Sequence, residues 1–250
     1  MKIDVEVNGF AYAAEYRDED VDNVLIPLLN DWRELREKAC GERVVVLLAA
    51  PPGAGKTTLS LFLEQLGRMM SNMPRVQALG MDGFHYPNSY LETHVFFDGD
   101  GACRLLKERK GAEFTFDVSA LAASIGNLKT ATPQPWPAYS RVMHDVVPAV
   151  IEVTGDIVLV EGNYLLLDAP GWRDLAQMGD RTIFLGADED LLHDRLVERK
   201  VKGGMDRACA EAWYEASDGL NVRRVLKDRL PADIELALTA DGGIKRQGVR

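Results

Sequence analysis

Hydrophobic and polar positions change period several times along the chain, and each change predicts an element. Ile3, Val5 and Val7 alternate with polar residues, Asn8-Gly9 is a turn signal, and Phe10, Tyr12 and Ala14 resume the alternation, which predicts a β-hairpin. From about Asp18 to Ala39 the period becomes helical, with Val21, Val24, Leu25, Leu28, Leu29, Trp32 and Leu35 on one face. Pro27 is expected to kink or split that helix, and Gly41 to stop it. Val44–Ala50 is an unbroken apolar run, the pattern of a strand buried on both faces, and Leu59, Phe62, Leu63 and Leu66 give the next segment a helical period. Further strands are predicted at Val76–Met81, Ile157–Val160, Arg181–Leu185 and Ile234–Leu238. Helices are predicted at Ala102–Lys110, Asp117–Leu128, Glu189–Lys202 and about Arg207–Arg229. Residues 82–101 lack a helical period and are read as loop, and Pro133, Pro135 and Pro137 forbid a helix over 132–139. Strands alternating with helices predict an α/β fold with a parallel sheet flanked by helices.

Two regions follow. Residues 1–40 read as an N-terminal appendage, a β-hairpin plus a helix, with packing against the rest as its expected role. Residues 41–250 read as the main domain. Composition narrows the partners. The 250 residues carry 29 basic and 39 acidic side chains, a formal net charge of −10. That balance argues against nucleic acid or an anionic membrane as partner, because both require a basic face. Three scattered cysteines form no C-x-x-C pair, no segment approaches eighteen apolar residues, and the N-terminus lacks a signal-like apolar stretch, so a reduced, cytoplasmic location is expected.

The chemistry starts after the first apolar run. Pro52-Gly53-Ala54-Gly55-Lys56-Thr57-Thr58 lies between a predicted strand and helix, where a glycine-rich loop and a helix N-terminus cradle nucleotide phosphates. Lys56 would reach the β- and γ-phosphates, and the Thr57 hydroxyl would coordinate Mg²⁺. Ala50 stands where the usual loop pattern has its first glycine, which is tolerable only if φ stays negative there. In parallel sheets ligands bind at the C-terminal strand ends, and that rule selects Asp82 after the second strand and Glu161 after the third. Two carboxylates beside a magnesium-bound triphosphate suit phosphoryl transfer to a hydroxyl, one activating the acceptor and the other holding the metal or its waters.

Five segments in order then resemble the P-loop kinase family that contains uridine kinase, phosphoribulokinase and bacterial pantothenate kinase. They are the loop at 50–58, Met-Asp-Gly-Phe-His at 81–85, Lys-Gly-Ala-Glu-Phe-Thr-Phe-Asp at 110–117, Pro-Ala-Tyr-Ser-Arg-Val-Met-His-Asp at 137–145 and Val-Leu-Val-Glu-Gly-Asn-Tyr at 158–164. The resemblance covers about residues 43–240 and is strongest to the sugar- or nucleoside-kinase branch labelled fructose-transport-system kinase-like. It implies a P-loop NTPase fold with ATP and Mg²⁺, Asp82 as catalytic base, Glu161 as the metal-associated acid, and Tyr139 and His144 near the acceptor. His85 is a further acceptor candidate. Ser140 and Arg141 depart from the uridine kinase pattern, which weakens the case for uridine or cytidine, and Arg141 could meet an anionic or heavily hydroxylated acceptor. The segment at about 189–206 corresponds to a lid whose Arg195 and Arg199, four apart on one helix face, approach the transferred phosphoryl group.

The expected activity is transfer of the γ-phosphate of ATP to a hydroxyl of a sugar or nucleoside, with a pantothenate-like acceptor as runner-up. A non-catalytic ATP-binding regulator and a P-loop GTPase compete with it. The latter rests on Tyr164–Gly171, which imitates a strand followed by Asp-x-x-Gly, but no Asn-Lys-x-Asp guanine signature exists. The expected partner is a small hydroxyl compound, with a second copy of the chain possible.

Overall fold

A computed structural model describes residues 1–7, 10–130 and 135–248. The Asn8-Gly9 turn and Pro133 lie outside the described residues. The strands β1 (Lys2–Val7) and β2 (Phe10–Glu15) pair antiparallel. The helical segment after them has three pieces: Asp18–Asp20, a π-turn Val21–Leu25 and a helix Ile26–Lys38. Pro27 sits in the first turn of the last piece, where a missing N–H breaks no helical bond. The division expected at the proline is therefore absorbed by the wider turn ahead of it.

Next come β3 (Val44–Ala49), all of whose residues are buried, the helix Lys56–Met69 and β4 (Val76–Gly80). Residues 81–110 correct the sequence reading. A 3₁₀ turn Met81–Phe84, a helix Asn88–Leu91 and a hairpin of β5 (Val95–Phe97) with β6 (Cys103–Leu105) replace the loop expected over 82–101. The helix expected over 102–110 does not form; β6 leads into a 3₁₀ turn Leu106–Arg109. The tight turn closed by Gly101 N–H donating to the Asp98 carbonyl joins strands too short to show a period.

Asp117 caps the helix Val118–Leu128 by accepting from the Ala120 N–H. The prolines do exclude a helix over 135–140, but the segment becomes β7 (Pro135–Ser140), paired antiparallel with β8 (Asp145–Glu152). Pro137 falls at a register irregularity, where no ladder donor is needed. β9 (Ile157–Gly162) and β10 (Arg181–Gly186) follow, then the helix Glu189–Lys202. The single helix expected over 207–229 is a helix Arg207–Trp213, a π-turn Tyr214–Asp218 and a helix Gly219–Lys227. β11 (Ile234–Leu238) and β12 (Ile244–Arg246) end the sheet.

The central sheet runs β12-β11-β10-β3-β9-β4, parallel except for β12. Strand alternation divides the core. Val44, Val46 and Leu48 face a cluster with Phe62, Leu25, Leu29 and Trp32, so residues 1–40 share a core with the helix after β3. Val45, Leu47 and Ala49 face the opposite cluster with Leu121, Trp136 and Tyr164. Among the described residues no helix is long and apolar enough to cross a membrane. Because the inner strands are parallel, β3, β4 and β9 all release the chain at one edge.

Candidate active site

At that edge the bend after β3 supplies an anion cradle. Gly53 and Gly55 take φ of +84° and +88°, values that side chains resist, and Gly55 directly precedes the helix Lys56–Met69. Ala50 is buried and stays outside the positive-φ region, which meets the condition its side chain sets. Pro52, Gly53, Gly55, Lys56, Thr57 and Thr58 line a cavity of about 1190 Å³, with Ala54 buried behind them.

Glu161 enters the cradle from β9. Leu48 and Gly80 both stand opposite it in register, so its strand lies between β3 and β4. Thr57 Oγ1 donates to Glu161 Oε1 at 2.7 Å, and Lys56 Nζ lies 3.9 Å from Glu161 Oε2. Burial raises the Glu161 pKa; the nearby Lys56 charge opposes that rise, and the Asp82 charge adds to it. A hydroxyl and a carboxylate oxygen beside the loop are ligands of the kind Mg²⁺ selects.

Asp82 stands on the 3₁₀ turn after β4, exposed on the cavity wall. Its position depends on a close approach. A Cβ on Gly83 would lie 2.3 Å from the Pro137 carbonyl oxygen, so only glycine lets the turn meet β7. Trp136 Nε1 fixes the same junction by donating to the Gly80 carbonyl at 2.9 Å.

The part of the site beyond Asp82 is built from turns. His85 Nδ1 lies 2.8 Å from the Asp82 carbonyl, and its ring packs 3.7 Å from Phe116 and 5.4 Å from Tyr139, centroid to centroid. Burial lowers the His85 pKa, which favours neutral imidazole. Burial raises that of Tyr139. His85 and Arg141 line the cavity; Tyr139 packs behind His85 and is not on its wall. His144 is placed differently from the expectation. It is exposed at φ +51° on the β7–β8 turn, off the cavity wall, and its carbonyl accepts from Asn88 Nδ2 and Lys110 Nζ.

The helix Glu189–Lys202 closes over the loop. Arg195 Nη1 donates to the Gly53 carbonyl at 3.2 Å and reaches the Ala54 carbonyl at 3.5 Å. Arg199 lines the cavity; burial lowers its pKa, and the charges of Asp218 and Asp82 oppose that. Lys110, Asn163, Asp218 and Asn221 also line the wall and had no role assigned from sequence. Lys110 and Asn163 did stand inside quoted motifs, but motif membership does not say which way a side chain points. Asp168, the acid of the GTPase-like imitation, pairs with Arg173 at 2.9 Å and is off the cavity wall.

No family model matches the chain. It is 40% identical to the uncharacterized protein YggC of Escherichia coli K12, over 97% of this chain and 98% of that protein. It is 30% identical to a Schizosaccharomyces pombe protein described as a "putative uridine kinase", over 78% of this chain and 83% of that one. Among solved structures it is similar to a "putative fructose transport system kinase" from Silicibacter sp. TM1040, with TM-score 0.69 and 32% identity over 82% of this chain and 98% of that one.

Proposed function

The chain belongs to the P-loop kinase family of the uridine kinase type, and we propose that it transfers the γ-phosphate of ATP to a hydroxyl of a small polyhydroxylated metabolite, a sugar or a nucleoside. The carrying observation is that Asp82, the Lys56–Thr57 loop and Arg199 line one cavity, with Glu161 buried behind its wall and bonded to Thr57. Lys56 and the loop amides hold the phosphates. Thr57 and Glu161 would hold Mg²⁺, which when bound neutralises charge on the phosphate oxygens.

Asp82 accepts the proton of the acceptor hydroxyl as that oxygen bonds to the γ-phosphorus. The bond from that phosphorus to the bridging oxygen breaks, and ADP leaves with the electron pair. Arg195 and Arg199 face the phosphoryl group as charge spreads over its oxygens. A pure ATP-binding regulator would need no acceptor base, and the exposed, cavity-facing Asp82 favours catalysis over that reading. An ATP-consumption screen over sugars and nucleosides tests the proposal. ADP release that depends on an acceptor is expected; nucleotide binding without turnover of any acceptor would favour the regulator.

A further inference from the structure

The cavity carries more cationic side chains than a triphosphate site accounts for. Lys56, Arg195, Arg199 and Lys202 belong to the phosphate loop and the lid, and the carboxylates of Asp82, Asp194, Glu198 and Asp218 line the cavity with them. Lys110 and Arg141 come from elsewhere, Lys110 from the turn after β6 and Arg141 from the turn after β7, yet both line the same cavity. Among the described residues neither forms a salt bridge. Lys110 Nζ donates to two neutral oxygens, Asn88 Oδ1 at 2.6 Å and the His144 carbonyl at 2.8 Å, and lies 5.0 Å from the Tyr139 ring centroid. Arg141 stabilises the Glu161 carboxylate and opposes the Arg199 cation, so its charge is felt inside the cavity although the residue is exposed. Burial lowers the Lys110 pKa, and the nearby Asp145 charge opposes that without an ion pair forming. On the same wall Asn163 Oδ1 is buried without a hydrogen-bond partner and Asn221 is 5% exposed. An unpaired buried amide oxygen is costly unless a ligand hydroxyl meets it.

We infer that the acceptor is a polyhydroxylated anion, its carboxylate or phosphate group held by Arg141 and Lys110 and a hydroxyl held by Asn163. This rests on the kinase reading. It also fits a chain of net charge −10: an anion will dwell only where local cations outweigh that field.

The test is ADP release by the full chain with ATP and Mg²⁺ over matched acceptors: glucose and ribose, gluconate, glucose 6-phosphate and ribose 5-phosphate. A charged member should exceed its neutral match at least about tenfold in kcat/KM, the scale of one charge-assisted hydrogen bond. The carboxylate and phosphate arms decide which anion is preferred. Arg141→Gln should raise KM for that acceptor about tenfold while kcat stays within about threefold, the signature of lost ground-state binding. Lys110→Gln should act the same way and Lys110→Arg should restore much of the affinity. Neutral acceptors turned over as well as charged ones would overturn the inference and leave the kinase reading standing. So would Arg141→Gln lowering kcat alike for every acceptor, since the guanidinium would then serve the transferred phosphoryl group. Turnover of nucleosides with none of these five compounds used would also overturn the inference and leave the kinase reading standing.

Discussion

Glu161 is the carboxylate whose loss should be felt by the metal before the acceptor. Its Oε1 already accepts from Thr57 and its Oε2 faces Lys56. Glu161→Gln keeps the shape and one acceptor oxygen but removes the charge. Half-saturating Mg²⁺ for ATP turnover should therefore rise at least about tenfold, in the range seen when a metal's supporting carboxylate is lost. A magnesium titration of the variant checks this, and an unchanged midpoint would remove Glu161 from the metal site. Much at this scale was legible. Lys56 and Thr57 follow from spacing alone, because a phosphate cradle dictates where its donors stand. Glu161 and Asp82 follow from the rule for strand ends. His144 was not legible, since the twist of a β-turn at φ +51° decides whether a side chain or a carbonyl turns inward. Lys110 and Asn163 needed coordinates for the same reason: each stands on a turn with no period.

At the scale of elements the helix Glu189–Lys202 carries a titratable link. His193 lies 3.0 Å from Asp194 and 2.7 Å from Glu211, with the Tyr214 ring edge-on at 4.6 Å. It thereby ties the helix Glu189–Lys202 to the helix Arg207–Trp213. The hydrogen bond to Asp194, with that to Glu211, raises the His193 pKa against partial desolvation. The protonated form is thus favoured in the folded chain. Its stabilisation is fully present below the ordinary histidine value of about 6.5 and is lost as pH rises through the raised one. Amide exchange in both helices, corrected for intrinsic rate, should show greater protection on the acid side of that window. His193→Gln should flatten the difference; wild-type helices whose protection is the same on both sides would contradict the assignment. The long core strands and amphipathic helices were legible because burial writes a period. The β5–β6 and β7–β8 hairpins were not, since strands of three residues and proline-bearing strands carry no readable alternation.

For the whole molecule, the N-terminal segment contributes to the core through Val5, Leu25, Leu29 and Trp32. Trp32 is fully buried in the cluster that holds Phe62 on the helix behind the phosphate loop. Trp32→Ala should cost about 3–5 kcal/mol of stability by chemical denaturation. KM for ATP should stay unchanged while the variant remains folded, because no described residue before Pro52 lines the cavity. A shifted KM with unaltered stability would instead give the N-terminal module a direct part in nucleotide binding. The central claim, however, is that Asp82 takes the acceptor's proton beside a loop that holds ATP. The direct measurement compares acceptor-dependent ADP release and ATP affinity in wild type and Asp82→Asn. The account predicts at least about a 100-fold loss of kcat with nucleotide affinity retained, the effect of removing a general base. A kcat equal to wild type would contradict it.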